Sequence, residues 1–301
     1  SRLSAGHSNP PTFSRGWFFF VQSFSALKSR LSDIQPVVIA SHPRSGTHLL
    51  MDLLRRQFNA CCSWKWWGER LDRLYCSIDE LNASRERLDE ATAHRILKRI
   101  ERPLVKTHAW PSFNKVFLKE HHNGLPKEWS LWLQDKSILL YIVRDVRDVM
   151  ASYQIFRQGL DEDASGPLGK FVRGFDDGSG INRVANWVQH VRAWQQKERC
   201  HLFRFEDVLR DPKSQIQRLA EILGAEADWE TPPLPKRFSS IWKSRWARLF
   251  QTRPQSTAVI GSESQDWEAQ LKQEDRAFIH KHASDLMMEF GHIESPKWIT
   301  E

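Results

Sequence analysis

What this 301-residue chain lacks narrows it considerably. It has only four cysteines (Cys61, Cys62, Cys76 and Cys200), with no C-x-x-C pair and no histidines at zinc-site intervals. Neither a metal centre nor a disulfide framework is suggested, and a reduced, cytoplasmic setting fits. There is no internal repeat or low-complexity tract, and no apolar run long enough to span a bilayer. The most apolar early stretch, Trp17-Phe18-Phe19-Phe20-Val21, is too short for a signal-peptide core with its cleavage site. It reads as a strap packed on the domain, or else as a membrane contact. A Walker lysine is also missing: an ATP loop, G-x-x-x-x-G-K-[ST], needs Lys after its second glycine, but here Thr47 follows Gly46 and Ser41 takes the first glycine position.

What is present centres on residues 36–58. Val37-Val38-Ile39-Ala40 reads as a buried strand and residues 41–47 as a turn. Leu50, Leu54 and Phe58 then make a helical stripe. A strand, a turn of small residues and a helix start form an anion cradle, because helix N-terminal amides and the helix dipole both favour negative charge there. With its cation inside the turn, at Arg44, the cradle suits a shorter anion than a triphosphate.

The net charge of +7 makes an anionic partner plausible, and 40% hydrophobic content supports a sizeable core. Residues 1–15 are expected as a loose arm and 16–301 as one domain. Leu104–His108, Ile138–Val143 and His201–Phe205 read as further strands, and residues 78–100 as a charged helix. Helices are expected from Asp145 (apolar face Val149, Tyr153, Phe156), over Val184–Trp194, from Pro212 to Gly224, and over Glu268–Phe290. Gln158–Gly180, rich in Gly and Asp, reads as a long loop. Alternating strands and helices predict an α/β domain with a central parallel sheet.

Ligands of such sheets bind at the carboxyl ends of the strands. That rule gathers Arg44, Lys106, His108, Arg144 and the Phe205 segment at one crevice. His108 is a candidate general base; the alternative is a histidine that merely caps a strand end. His42 and His48 read as cradle or structural residues. Ser152, eight residues after Arg144, lies about two helical turns on and can share an anion with it. Two anion sites imply a ligand charged at both ends.

These residues resemble a known family. Ser41–His48 (SHPRSGTH), Val105–His108 (VKTH), Tyr141–Tyr153 (YIVRDVRDVMASY), Phe203–Pro212 (FRFEDVLRDP) and Asp266-Trp267 are similar to the signatures of sulfotransferases that use 3′-phosphoadenosine-5′-phosphosulfate (PAPS). The resemblance runs over about residues 36–290 and implies a P-loop-like sulfotransferase fold. It implies that the turn, Arg44, Ser45, Gly46, Thr47 and His48 included, holds the 5′-phosphosulfate, and that Arg144 and Ser152 hold the 3′-phosphate. Leu49, Phe205 and Ser240 fall at adenine-side positions, where members carry Trp, Tyr and the Ser of a Thr-Ser-Phe segment. His108 would be the base, with Lys106 and Arg44 stabilising charge during in-line transfer from PAPS. PAP, the desulfated nucleotide, would be the product, and no metal would be required.

The chain departs from the family at Arg44, where many members have Lys, and before Asp266, where Val259–Ser262 replaces an Arg-Lys-Gly segment. Arg253 or another cation of the basic 231–262 segment could supply the lost contact. That segment reads as a lid over the nucleotide, the alternatives being a solvated face or a nucleic-acid patch. The acceptor is expected to be a small molecule, glycan or lipid. Trp64, Trp66, Trp67, Trp110 and the 158–180 loop are candidate pocket walls, although the Trp cluster reads equally as a packing hinge. A small-molecule kinase and a basic nucleic-acid-binding protein are the competing classes; no nucleic-acid partner is expected on the preferred reading.

Overall fold

The computed structural model describes residues 35–61, 75–77, 104–111, 137–158, 160, 162–175, 180–230 and 267–300. The N-terminal arm, the Trp17–Val21 run, the Trp64/Trp66/Trp67 cluster, residues 78–100, Ser240 and the basic 231–262 segment lie outside them.

Among the described residues, five parallel strands form one sheet: β1 (Val37–Ala40), β2 (Cys76–Ser77), β3 (Leu104–Thr107), β4 (Ile138–Val143) and β5 (Cys200–Arg204). Their order across the sheet is β2-β3-β1-β4-β5. The chain leaves β1 toward one side, then returns to the other through β4, so β1 marks the switch point at which such sheets open a binding crevice. Ala40 pairs with Thr107 on one side and with Tyr141 on the other. The segments that follow β1, β3 and β4 therefore emerge at the same edge.

The strands are short and apolar throughout because both faces are covered. Val38, Ala40, Val105, Leu139, Tyr141 and Val143 face one core, packed by α2 (Val146–Arg157), α3 (Leu168–Arg173), α4 (Arg183–Gln195) and α8 (Gln273–Glu289). Val37, Ile39, Leu104, Leu140, Ile142 and Phe203 face the other, against α1 (Thr47–Gln57) and α6 (Pro212–Leu223). The period-two alternation of the pleat sorts the strand residues between them. Leu50, Leu54 and Phe58 are fully buried, as the helical stripe predicts.

Helix boundaries follow local chemistry. The Asp145 side chain caps α2 by accepting from the Arg147 amide, and Asn182 caps α4 by accepting from Ala185. Asp211 and Pro212 open α6, and Gly224, at φ 58°, closes it in the left-handed conformation.

Three expectations need correction. The 158–180 stretch is not one long loop: it contains a 3-10 turn at Glu162–Ser165 and the helix α3. Leu168, Phe171 and Val172 bury one face of α3. Arg183 fastens this region, pairing with Asp163 and stacking 4.0 Å over the Phe171 ring. The last helix is broken at Leu271-Lys272 into α7 (Trp267–Gln270) and α8, because the Asp275 carboxylate accepts from the Lys272 amide and starts a new N-terminus. Phe156 lies outside the apolar face of α2, being 54% exposed with the Arg44 guanidinium 5.5 Å from its ring.

Candidate active site

The turn after β1 is shaped by two left-handed residues, Arg44 at φ 69° and Gly46 at φ 103°. Gly46 is the N-cap of α1 and makes no side-chain cap. The first amides of a helix have no acceptor four residues back inside it. Ser45 is fully buried, and its hydroxyl has no hydrogen-bond partner among the described residues. A buried hydroxyl left unmet is costly, and an anion seated in the turn would satisfy it.

Phe205, the first residue of α5 (Phe205–Arg210), lies directly against this turn. A methyl group added at Gly46 would meet its Cδ2 at 2.5 Å. The opposite contact of the same ring is the Arg144 guanidinium, 4.4 Å from the centroid. Arg144 follows β4, and the amide after it, of Asp145, donates to Glu206 of α5 at 2.9 Å. Among the described residues, Arg144 makes a loose ion pair with Asp148, at 3.7 Å, and its buried Nε has no hydrogen-bond partner. A second unmet donor thus sits one ring away from the first.

Arg44 spans these two places. Its Nε donates to Ser152 Oγ of α2 at 3.1 Å. Its pKa is lowered by partial burial of its head group and by the Arg144 charge nearby. Arg44, Arg144 and Ser152 therefore face one crevice, although the first two come from different strand ends. Two like charges this close repel each other, a repulsion that a negative group between them would relieve.

His108 stands on the β3 side. The β1–β3 ladder runs one step past the strands, with the Ser41 amide donating to the Thr107 carbonyl at 3.2 Å. This brings the Ser41 carbonyl 2.9 Å from His108 Nδ1. A carbonyl only accepts, so Nδ1 carries the proton and Nε2 carries the basic lone pair. The Ser41 hydroxyl lies 2.6 Å from that of Thr47 and 3.3 Å from His108 Nδ1, which links His108 to the start of α1. Burial first, then the Lys106 charge, lowers the His108 pKa to about 3. The imidazole is thus neutral at any ordinary pH, the state a general base needs. Lys106 also lowers His48, to about 4, though less than burial does, so its ammonium acts on both rings.

The sulfotransferase domain family model matches residues 35–291. The chain belongs to this family. Mouse Sulfotransferase 1A1 is similar at 26% identity over 243 residues, covering 75% of this chain and 72% of that protein. Sulfotransferase 1B1 of Canis lupus familiaris is 27% identical over 221 residues, 70% of this chain and 64% of that protein. Among solved structures, mouse sulfotransferase SULT7A1 complexed with PAP aligns over 84% of both chains at 15% identity, with a TM-score of 0.46.

In this sulfotransferase the residues expected at the site divide into groups. Ser45, Gly46, Thr47 and Arg44 form the turn; Arg144, Ser152 and Phe205 lie beside it; His108, Lys106 and His48 make the β3 side. Arg44 directs its Nε to Ser152, and the Lys106 charge, after burial, acts on His108. Leu49 is 2% exposed in the α1 core and gives its amide to the Gly46 carbonyl.

Sequence reasoning missed His190. It lies on α4, within the buried stripe of Trp187, Val191 and Trp194, and is 2% exposed. Its ring sits 5.8 Å from that of His42 and 5.4 Å from that of Trp110. A polar residue on the apolar side of an amphipathic helix was the available signal.

Proposed function

We propose that this chain transfers the sulfonate of PAPS to a hydroxyl or amine of a small organic acceptor and releases PAP. The observation that carries the reading is the convergence, at one sheet edge, of a phosphate-type turn, the neighbouring cations Arg44 and Arg144, and a neutral imidazole. The turn at Ser41–Thr47 fits a 5′-phosphosulfate, with the buried Ser45 hydroxyl as one donor. The Arg144 guanidinium, the Ser152 hydroxyl and Arg44 fit a 3′-phosphate. Phe205 separates the two places and offers a ring edge to the nucleoside.

His108 Nε2 takes the acceptor proton as the acceptor oxygen or nitrogen bonds to sulfur and the bond from sulfur to the 5′-phosphate oxygen breaks. Lys106 lies where it can offset the charge that builds on the transferring oxygens. Ser41 holds the imidazole in the tautomer that presents Nε2.

The acceptor belongs to the small hydroxylated compounds, with glycans and lipids as the broader field. Trp110, 36% exposed next to His190, is an aromatic surface close to the base. Incubating the protein with PAPS and a panel of phenols, alcohols, glycans and lipids, then reading an added sulfonate by mass spectrometry, tests the proposal. Calorimetry with PAP and ATP separates it from a kinase, for which ATP would bind more tightly. Absence of both PAP binding and sulfonation would defeat it.

A further inference from the structure

β3 ends at Thr107, and the chain beyond it leaves the sheet. Among the described residues no strand donates to the carbonyls of His108 and Ala109, and carbonyls shut off from water need a donor. α4 supplies it. His190 Nε2 lies 3.1 Å from the His108 carbonyl and 3.3 Å from that of Ala109. Trp194 Nε1 adds a second donor to Ala109 at 3.1 Å.

Because carbonyls only accept, His190 Nε2 carries its proton and Nδ1 carries the lone pair. That lone pair meets the Tyr141 hydroxyl at 2.9 Å. The hydroxyl donates to it. The result is a directed chain of hydrogen bonds, from Tyr141 through His190 to the peptide that bears the His108 side chain. The main-chain carbonyls at its end only accept, so its polarity cannot reverse. Tyr141 is fully buried and His190 nearly so, so water does not compete for these bonds. His108 Nδ1–H in turn donates to the Ser41 carbonyl.

We propose that His190, relayed through Tyr141, is a positioning residue that fixes the His108–Ala109 peptides and thereby aims His108 Nε2. The inference rests on His108 being the base of the proposed transfer. His190 does not touch the reacting atoms, since both its nitrogens are committed to the chain. It acts by holding the peptide of the base, whose Nδ1–H donates to the Ser41 carbonyl at the start of the turn, so that the two halves of the site keep one relative orientation. Misplacing a catalytic group by about an ångström can cost on the order of 100-fold in rate.

The test uses the full chain and three single variants. His190→Phe keeps the bulk and removes both polar atoms. His190→Gln restores a donor and an acceptor. Tyr141→Phe removes the hydroxyl that orients the ring. Expected for His190→Phe is a kcat lowered about 10- to 100-fold with PAP affinity within about threefold of wild type, and His190→Gln recovers most of the loss. Tyr141→Phe lowers kcat, and adding it to His190→Phe costs nothing more, since both cut one chain. Nitrogen-15 NMR of histidine-labelled protein supplies a readout free of turnover. His108 should be a single Nδ1–H tautomer in the wild type and a mixture in His190→Phe. An unchanged kcat, an equal loss of PAP affinity, or additive costs would overturn the positioning role. If wild type neither binds PAP nor transfers sulfonate, the functional reading fails separately, and an unaltered His108 tautomer in His190→Phe then overturns this inference by itself. Should His190→Phe not fold, His190→Gln and Tyr141→Phe carry the same comparison.

Discussion

Arg44 Nε donates to Ser152 Oγ at 3.1 Å across 108 residues of sequence, so the turn after β1 is tied directly to the second turn of α2. The Arg144 charge lies close enough to lower the Arg44 pKa. A 3′-phosphate at this place would relieve the repulsion and take the Ser152 hydroxyl as donor. Hydrogen bonds to charged groups contribute about 1.5–3 kcal/mol. Ser152→Ala should therefore weaken PAP about 10- to 100-fold, yet leave adenosine 5′-phosphosulfate, which has no 3′-phosphate, nearly unaffected. Titration calorimetry with both nucleotides checks this, and equal weakening of the two would place the 3′-phosphate elsewhere.

His108 makes a prediction in rate and one in pH. His108→Ala should lower kcat by about 10²–10⁴-fold, the usual contribution of a positioned base, with PAP still bound. The free enzyme holds this imidazole at a pKa of about 3 through burial and the Lys106 charge. A base acts when unprotonated, so it is ready at every pH above about 4. The profile of kcat/KM, which reports the free enzyme, should be flat from pH 5 to 8 as far as His108 is concerned. Lys106→Gln removes one of the two forces holding the pKa down and should raise it. An acid limb centred near 6.5 in the wild type would contradict the burial and charge described.

The same histidines link stability to pH. His42 is held well below its ordinary pKa by burial, with the His190 charge as a lesser cause; burial lowers His190 to about 4. In the unfolded chain both would titrate near 6.5. As pH falls through 6.5 the unfolded state binds protons that the folded state refuses, so stability is lost. The loss grows until the folded groups titrate, at about pH 4 for His190. Each buried ring contributes at most about 1.4 kcal/mol per pH unit. Urea midpoints measured between pH 7.5 and 4.5 should fall on the acid side of 6.5, and His190→Gln should flatten the slope. A midpoint independent of pH over that range would mean that these rings are not buried neutral.

How far the sequence discloses this molecule depends on the range of the interactions concerned. The β1 strand, its turn and the Leu50–Leu54–Phe58 stripe are local patterns, and each lies where the spacing predicts. Arg144 and Asp145 are legible for the same reason, one ending a buried strand and the other capping the helix that follows. The α3 helix was not legible, because six residues between a Gly-Pro and a glycine carry too little periodicity, and its stability comes from Arg183 and Phe171 meeting across the fold. His190 was hidden more deeply. Its partners are main-chain carbonyls 81 and 82 residues away, and no spacing within α4 points to them. Phe205 was read as an adenine contact, but its ring also packs on Gly46, a relationship visible only once β5 lies beside β4.

That packing yields a last prediction. Gly46 sits at φ 103°, where a side chain is strained whatever the space around it, and a Cβ there would approach Phe205 Cδ2 to 2.5 Å. Backbone strain of this kind costs about 1–3 kcal/mol. In Gly46→Ala the Phe205 ring must also move, and the Arg144 guanidinium rests on that ring. The variant should therefore lose stability and PAP affinity together, although residue 46 touches neither Arg144 nor Ser152 by any hydrogen bond. Phe205→Ala removes the steric part and leaves the strain. In the double variant Gly46→Ala/Phe205→Ala, the cost of the alanine at 46 should be smaller than in the wild-type background, a coupling that a double-mutant cycle in denaturant midpoint and PAP affinity measures. Strict additivity would mean that the backbone alone objects to the methyl group, and that Phe205 does not transmit the shape of the turn to Arg144.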